Sequence, residues 1–304
     1  MFQAVRSNKT KTTVIVVCIF LFFAAIIYTI SFLLFDMGII TAIIAVVISF
    51  IGSFAAFWNS DKIVLSLHRA RPATPEQDAK LNNILEGLCI AAGVPKPRLY
   101  VMEDPSPNAF ATGRNPQNGV ICVTTGLLDQ LDYYQLEGVV AHELAHIRNY
   151  DILLQTVAGI MIGSAIIASN IATRALFWGG SGRSRSSSSS GGGAAIFAVI
   201  GLIFMIVAPI AGQLLKMSLS RNREFLADAT AIEFTRNPEG LAGALEVIGG
   251  STLPLRHANN ATEGMYIVTP CAELRRGRKA KQGGVLFSTH PPIEARVTAL
   301  RNLR

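Results

Sequence analysis

The sequence predicts an α+β protein, mainly helical with a small sheet, whose globular part is tied to four apolar helices of membrane-spanning length. Three observations predict this. Half of the 304 residues are apolar and only 15% are charged, short of the quarter or so usual in a soluble domain. The shortage comes from four uncharged runs, at 14–35, 37–58, 152–173 and 194–215. The remaining residues show helical spacing with end signals, together with three short β-type runs.

Taken in order, Val14–Phe35 and Met37–Trp58 form a hairpin with Asp36 at its tip, since about 20 apolar residues cross a bilayer as helix. The basic start (Arg6, Lys9, Lys11) fits a secretion signal, but the apolar run is too long and meets the next almost directly. It reads as a signal anchor. Thr74-Pro75-Glu76 then supplies an N-cap, a first-turn proline and an acidic residue. Leu81, Ile84, Leu85, Leu88 and Cys89 share one helical face, and Gly93 ends the helix. Leu99–Met102, Ala109–Thr112 and Val120–Val123, separated by Pro, Gly and Asn, predict a small sheet. Asp132 and Gln135 form a capping pair for the next helix, which turns Leu136, Val139 and Val140 inward and ends near Asn149.

The third and fourth apolar runs contain Gln155, Asn170, Pro209 and Gln213, which leaves buried core helices as the alternative to spans. The Ser/Gly-rich stretch 179–193 between them is too polar to pack and reads as a disordered loop. A helix over Met217–Asn237 closed by Pro238, a short one over Leu241–Ile248, and an irregular stretch 250–284 with a basic cluster (Arg275, Arg276, Arg278, Lys279, Lys281) follow. The predicted organisation is therefore an N-terminal membrane hairpin (1–58), the first half of a globular domain (59–150), a second apolar hairpin (151–215) and the second half (216–304).

The net charge of +7 raises nucleic-acid binding, but its distribution argues against it. Arg6, Lys9 and Lys11 precede the first run, and Lys62, Arg69 and Arg71 follow the second; no basic stripe is interleaved with aromatics. That is the positive-inside signature of a multi-pass protein, with the globular part in the cytoplasm. Cys18, Cys89, Cys122 and Cys271 are isolated, as expected of reduced thiols. His68 and His257 carry no motif.

His142-Glu143-Leu144-Ala145-His146 carries the chemistry. Residues four apart share a helical face, so both imidazoles reach one tetrahedral zinc, and Glu143 meets a water there as general base. A catalytic zinc needs a third protein ligand and an open position. No histidine follows His146 at the spacing of a third ligand. Glu224, in Arg223-Glu224-Phe225-Leu226-Ala227-Asp228, would complete a His/His/Glu set, and Asp228 could accept the free ring N–H of a ligating histidine; an acidic pair on a solvated helix face is the alternative. This ligand pattern makes the fold a membrane-anchored zincin, gluzincin-like, with one Zn2+ per chain.

Four stretches in this order resemble the HtpX family of membrane zinc metalloproteases, relatives of the CAAX prenyl proteases: Pro107 to Gly113, His142 to His146, Arg223 to Asp228, and Ser288-Thr289-His290-Pro291-Pro292. The resemblance covers nearly the whole chain. It implies zinc on His142, His146 and Glu224, Glu143 as base, a bacterial or archaeal inner membrane, and quality-control proteolysis of misfolded or damaged membrane proteins. Asn108, Ala109, Phe110 and Ala111 are candidates for an edge strand that holds an extended polypeptide by backbone pairing; an ordinary structural strand is the alternative. His290, held by two stiff prolines, is a candidate donor to the oxyanion formed in peptide hydrolysis, with Arg296 as a second. A helix-capping turn, or an imidazole filling the open zinc position, are the other readings of His290. A CAAX-type prenyl protease and a non-catalytic membrane scaffold with a structural metal remain as alternatives. The first is disfavoured by the modest length and two-span start, the second because Glu143 has no role in a closed site. The sequence gives no oligomeric state.

Overall fold

The computed structural model describes residues 39–156, 221–256, 263–268 and 290–303, with isolated positions between 10 and 24. The chain begins there with helix α1 (Ile39–Trp58), most of the second predicted span. Ile40, Ile43, Val47, Ile51 and Phe54 are exposed along it, and the Phe20 ring meets Phe50 edge-on at 6.2 Å. Several α1 side chains lie outside the description, and among the described residues no helix is long and apolar enough to cross a membrane. The loop 179–193, the fourth apolar run, the basic cluster 275–281 and His257 lie outside the described residues too.

Short ties lock the end of α1 to the globular part. Arg114 donates from Nη1 to the Trp58 carbonyl at 3.0 Å and sits over the indole at 4.3 Å. Helix α2 (Ser60–Leu67) follows after Asn59, and its buried Asp61 is paired with Arg98. Helix α3 (Pro75–Ala92) starts on a capping box in which Thr74 and Gln77 satisfy each other's backbone N–H groups. It stops at Gly93, whose φ of 64° only glycine adopts at little cost.

The sheet has the order β1-β2-β4-β3, formed by Arg71–Pro72, Arg98–Met102, Val120–Thr124 and Ala109–Thr112 respectively. β2 and β4 are parallel, while β1 and β3 run antiparallel to their neighbours. Both faces are covered, and the period-2 alternation divides them cleanly. Leu99, Val101, Ala109, Ala111, Ile121 and Val123 join the main core with α3. Met102, Phe110, Val120 and Cys122 face a smaller cluster with Val64, Leu65, Leu255, Met265 and Tyr266. His68 belongs to this second face, where its ring lies 5.0 Å from Phe110 and 5.5 Å from Tyr266.

After a short helix α4 (Thr125–Gln130), helix α5 (Tyr133–Arg148) crosses the main core, opened by the expected Asp132/Gln135 capping box and ended at Asn149. Residues 151–156 are helical again, and Ile152 and Leu154 are wholly buried, so the start of the third apolar run packs into protein. Helix α6 is described over Arg221–Thr235 and helix α7 over Pro238–Gly250. Pro238, expected to close the preceding helix, is instead the first residue of the next, capped by the Asn237 side chain. Helix α8 (Ile293–Arg301) ends the fold, and Arg301 ties it to Glu239 and Glu246 of α7. The stretch 250–284, expected to be irregular, includes a short 3-10 turn at Glu263–Met265 and Tyr266 paired antiparallel with Phe110 on the open edge of β3.

Candidate active site

Helix α5 brings the first three functional groups into the core because its whole middle is buried, from Leu136 to Ile147 apart from Glu137. His142, Glu143 and His146 are at most 4% exposed. The two imidazoles, one turn apart, point Nε2 at Nε2 across 3.1 Å. Helix α6 lies against α5 and places Glu224 so that its carboxylate is 3.7 Å from each of those nitrogens. Two imidazole nitrogens and one carboxylate oxygen thus converge within 4.8 Å of one another, as the donor set of a single cation. Tetrahedral zinc with N ligands at about 2.0–2.1 Å holds them roughly 3.3 Å apart, so the residues fit zinc with little movement. Glu143, fully buried beside this point, has no side-chain hydrogen-bond partner and only the Ala111 backbone near it, and a water at the centre would satisfy its oxygens.

Each imidazole is held from behind by a carboxylate. Asp228, one turn after Glu224, lies 3.0 Å from His142 Nδ1. Arg296 of α8 grips that carboxylate with Nε at 2.9 Å and Nη2 at 2.7 Å. On the other side Asp151 lies 3.1 Å from His146 Nδ1, with Arg223 behind it at 3.9 Å. Asp151 is a site residue that the motif analysis missed. It arrives because Tyr150 takes a left-handed φ of 61° just past the helix end, turning the chain back toward its own last turn. An acidic residue immediately after a metal-binding helix was the available signal.

These contacts set the protons of the metal-free site. Burial drives His142 down to about 4, aided by the charges of Arg296 and His146 and resisted by the Asp228 hydrogen bond. Burial also acts against a charged His146, but the Asp151 hydrogen bond and the nearby carboxylates outweigh it and raise it to about 9. Glu143 is raised to about 7, first by burial and then by Glu224. Burial opposes ionisation of Glu224, yet His290, His146 and Arg296 hold it well below the usual carboxylate range.

The structure brings His290 into the same centre. It is buried, and its Nδ1 lies 3.1 Å from Glu224 Oε2. Arg296, the other expected donor, is 1% exposed and directed mainly at Asp228, with Nη1 donating to the Ile267 carbonyl at 2.9 Å. Asn108, just before β3, and Ala109 to Ala111 on it are all buried. Asn108 bonds Thr124 Oγ1 through its backbone N–H and the Val268 carbonyl through its side chain.

The sequence pattern of peptidase family M48 matches residues 75–304. The chain is 43% identical over 302 residues to the protease HtpX homolog of Dictyoglomus thermophilum, covering 99% of this chain and 94% of that protein. It is 40% identical over 309 residues to the protease HtpX homolog of Listeria monocytogenes, covering all of both. Among solved structures, the crystal structure of S. mikatae Ste24p has a similar fold, with a TM-score of 0.50 and 17% identity over 99% of this chain and 67% of that one.

Proposed function

The chain belongs to peptidase family M48, among its HtpX-type membrane metalloproteases, and from that premise we propose how its own residues hydrolyse a peptide bond. His142, His146 and Glu224 hold one zinc ion, and Glu143 is the general base. The observation that carries this reading is the convergence of three ligand atoms beside a buried carboxylate with no side-chain partner. Bound zinc supplies a Lewis acid that polarises the scissile carbonyl and eases deprotonation of water. Glu143 takes the proton from the attacking water and returns it to the leaving amine. Asp228 and Asp151 fix the two histidine rings with Nε2 forward, and Arg296 fixes Asp228. His290, beside Glu224 and therefore beside the reacting carbonyl, donates to the oxyanion.

The polypeptide is proposed to lie extended along β3, with Asn108 to Ala111 as the strand it pairs with. The substrates proposed are misfolded or damaged membrane proteins. The exposed apolar surface of α1, closed by Trp58 at its end, supports a helix lying in lipid beside the site. The proposed arrangement is multi-pass, with the catalytic residues on the cytoplasmic side of an inner membrane.

Zinc content and casein cleavage by the detergent-solubilised protein test the core of this reading. Glu143→Gln is expected to keep zinc and lose cleavage, and Glu224→Ala to lose both. Full zinc and full activity in Glu224→Ala would show that another residue is the third ligand.

A further inference from the structure

The open edge of β3 is already in use by the chain itself. In an antiparallel ladder, backbone groups point alternately to one neighbour and to the other. The Asn108 carbonyl accepts from Thr124 of β4, so Ala109 presents its carbonyl to the opposite side. There it accepts from Ile267 N–H at 2.9 Å, and Phe110 pairs antiparallel with Tyr266. The next two carbonyls of this segment are held as well. Arg296 Nη1 donates to that of Ile267, and the Asn108 carboxamide to that of Val268, both at 2.9 Å. The segment is a short piece of chain, entered through a 3-10 turn, and its pairing is confined to a single bridge rather than a full strand.

Two features make this more than a loop packed on a sheet. The three consecutive contacts at Ile267 and Val268 are all to backbone groups, so they would hold any extended sequence, which is what a site for unfolded polypeptide needs. They also lie at the catalytic centre: the same Arg296 Nη1 that binds the Ile267 carbonyl is 3.7 Å from Glu224 Oε2. We infer that residues 265–268 occupy the polypeptide-binding edge of β3 as an internal strand, and that an extended substrate binds by displacing them. The occupant also indicates what the edge accommodates. Ile267 is 1% exposed and packs into the main core, so the position opposite Ala109 takes a branched aliphatic side chain. An occupied site lowers the apparent affinity for substrate by the fraction of molecules in which it is open, which restrains a protease whose substrate contacts are mainly to backbone.

This inference rests on the assignment of β3 as the substrate strand. It is tested on the full-length, zinc-loaded protein in detergent, using an aliphatic peptide hydroxamate as probe. Amide exchange at Ile267 is expected to quicken by at least about tenfold when the probe saturates the protein, while amides in the middle of α5 keep their protection. An Ile267 amide that stays protected with the probe bound, as shown by calorimetry, overturns the inference. The Ile267→Pro variant removes the N–H that Ala109 accepts. It is expected to lower KM for an extended aliphatic peptide about tenfold with kcat little changed; an unchanged KM in a folded variant counts against displacement. If that variant does not fold, the wild-type exchange decides alone. A wild type that binds the probe and releases Ile267 but cleaves no peptide removes the endopeptidase reading and leaves the displaced strand. Absence of probe binding in both proteins removes both.

Discussion

His142 and His146 differ in what stands behind them, and that difference is testable. His142 is backed by Asp228, itself gripped by two nitrogens of Arg296, whereas His146 is backed by Asp151, with Arg223 at longer range. A ring nitrogen that donates to a carboxylate is fixed in tautomer and is the more basic ligand, so the loss of that carboxylate weakens metal binding. Asp151→Asn is therefore expected to lower zinc affinity about 10- to 100-fold, read by competition with a chromophoric chelator, while thermal unfolding of the zinc-saturated protein stays near that of the wild type. Unaltered affinity would leave Asp151 with a purely structural role. His290→Ala separates the readings of the motif Ser288 to Pro292. Loss of an oxyanion donor lowers turnover about a hundredfold or more with zinc and KM little changed. Unchanged or faster cleavage would rule that role out, and loss of zinc would assign the ring to holding Glu224, which it approaches at 3.1 Å. Among these residues, His142, Glu143 and His146 were legible because spacing on a helix determines which side chains meet, whereas Glu224, on another helix, was singled out mainly by the family resemblance. Asp151 was not, because its reach depends on the backbone angle of Tyr150.

The helices that hold the site were readable where their ends are encoded locally. Both predicted capping pairs or caps, at Thr74 and at Asp132, start their helices where expected. The two-residue β1 carries no periodicity to detect, and the pairing of Tyr266 with Phe110 joins residues far apart in sequence, which no local pattern announces. The approach of α5 to α7 has the same non-local character and rests on glycine. A Cβ on Gly138 would stand 2.6 Å from the Leu241 nitrogen and 2.8 Å from its Cα. A Cβ on Gly240 would stand 2.5 Å from the Tyr134 carbonyl oxygen, so the two backbones touch at both glycines. Backbone cannot move aside as a side chain can, and α5 carries the metal ligands. Gly138→Ala is expected to destabilise by about 1–3 kcal/mol through overpacking, seen as a lower unfolding temperature, and to reduce zinc retention. Gly87→Ala, on an exposed turn of α3 with nothing within 4 Å of the added methyl, is expected to stabilise by about 0.4–1 kcal/mol. A Gly138→Ala protein as stable as the wild type would mean that α5 and α7 shift apart freely.

At the scale of the whole molecule, the site constrains how the chain meets the membrane. α5 and α6 pack side by side to bring His142 and His146 to Glu224, so residues 156 and 221 stand on the same side of any membrane. The topology proposed for the stretch between them is therefore an even number of crossings, two or none. The turns that lead into this stretch are buried in protein, with Ile152 and Thr156 at 0% exposure and Thr156 Oγ1 2.9 Å from Thr112 Oγ1 of β3. The third apolar run therefore starts inside the catalytic fold rather than at its surface, and any crossing begins after it. At the other end, Arg114 and the Asp61–Arg98 pair fix the exit of α1 against the sheet, so the side on which α1 ends is the side of the active site. The Lys and Arg flanking the first hairpin are the reason for proposing that this side faces the cytoplasm. Single cysteines report this directly. Lys62 is exposed just beyond α1 and Met37 adjoins the hairpin tip, while Ser188 lies in the loop between the third and fourth runs. With an impermeant thiol reagent added outside intact cells, Met37→Cys is expected to label and Lys62→Cys is not. Two crossings predict outside labelling at Ser188→Cys, and a shallow hairpin predicts none. Outside labelling at Lys62→Cys is the result that excludes a cytoplasmic site, because the residue lies on α2, which leads directly into the sheet that carries β3.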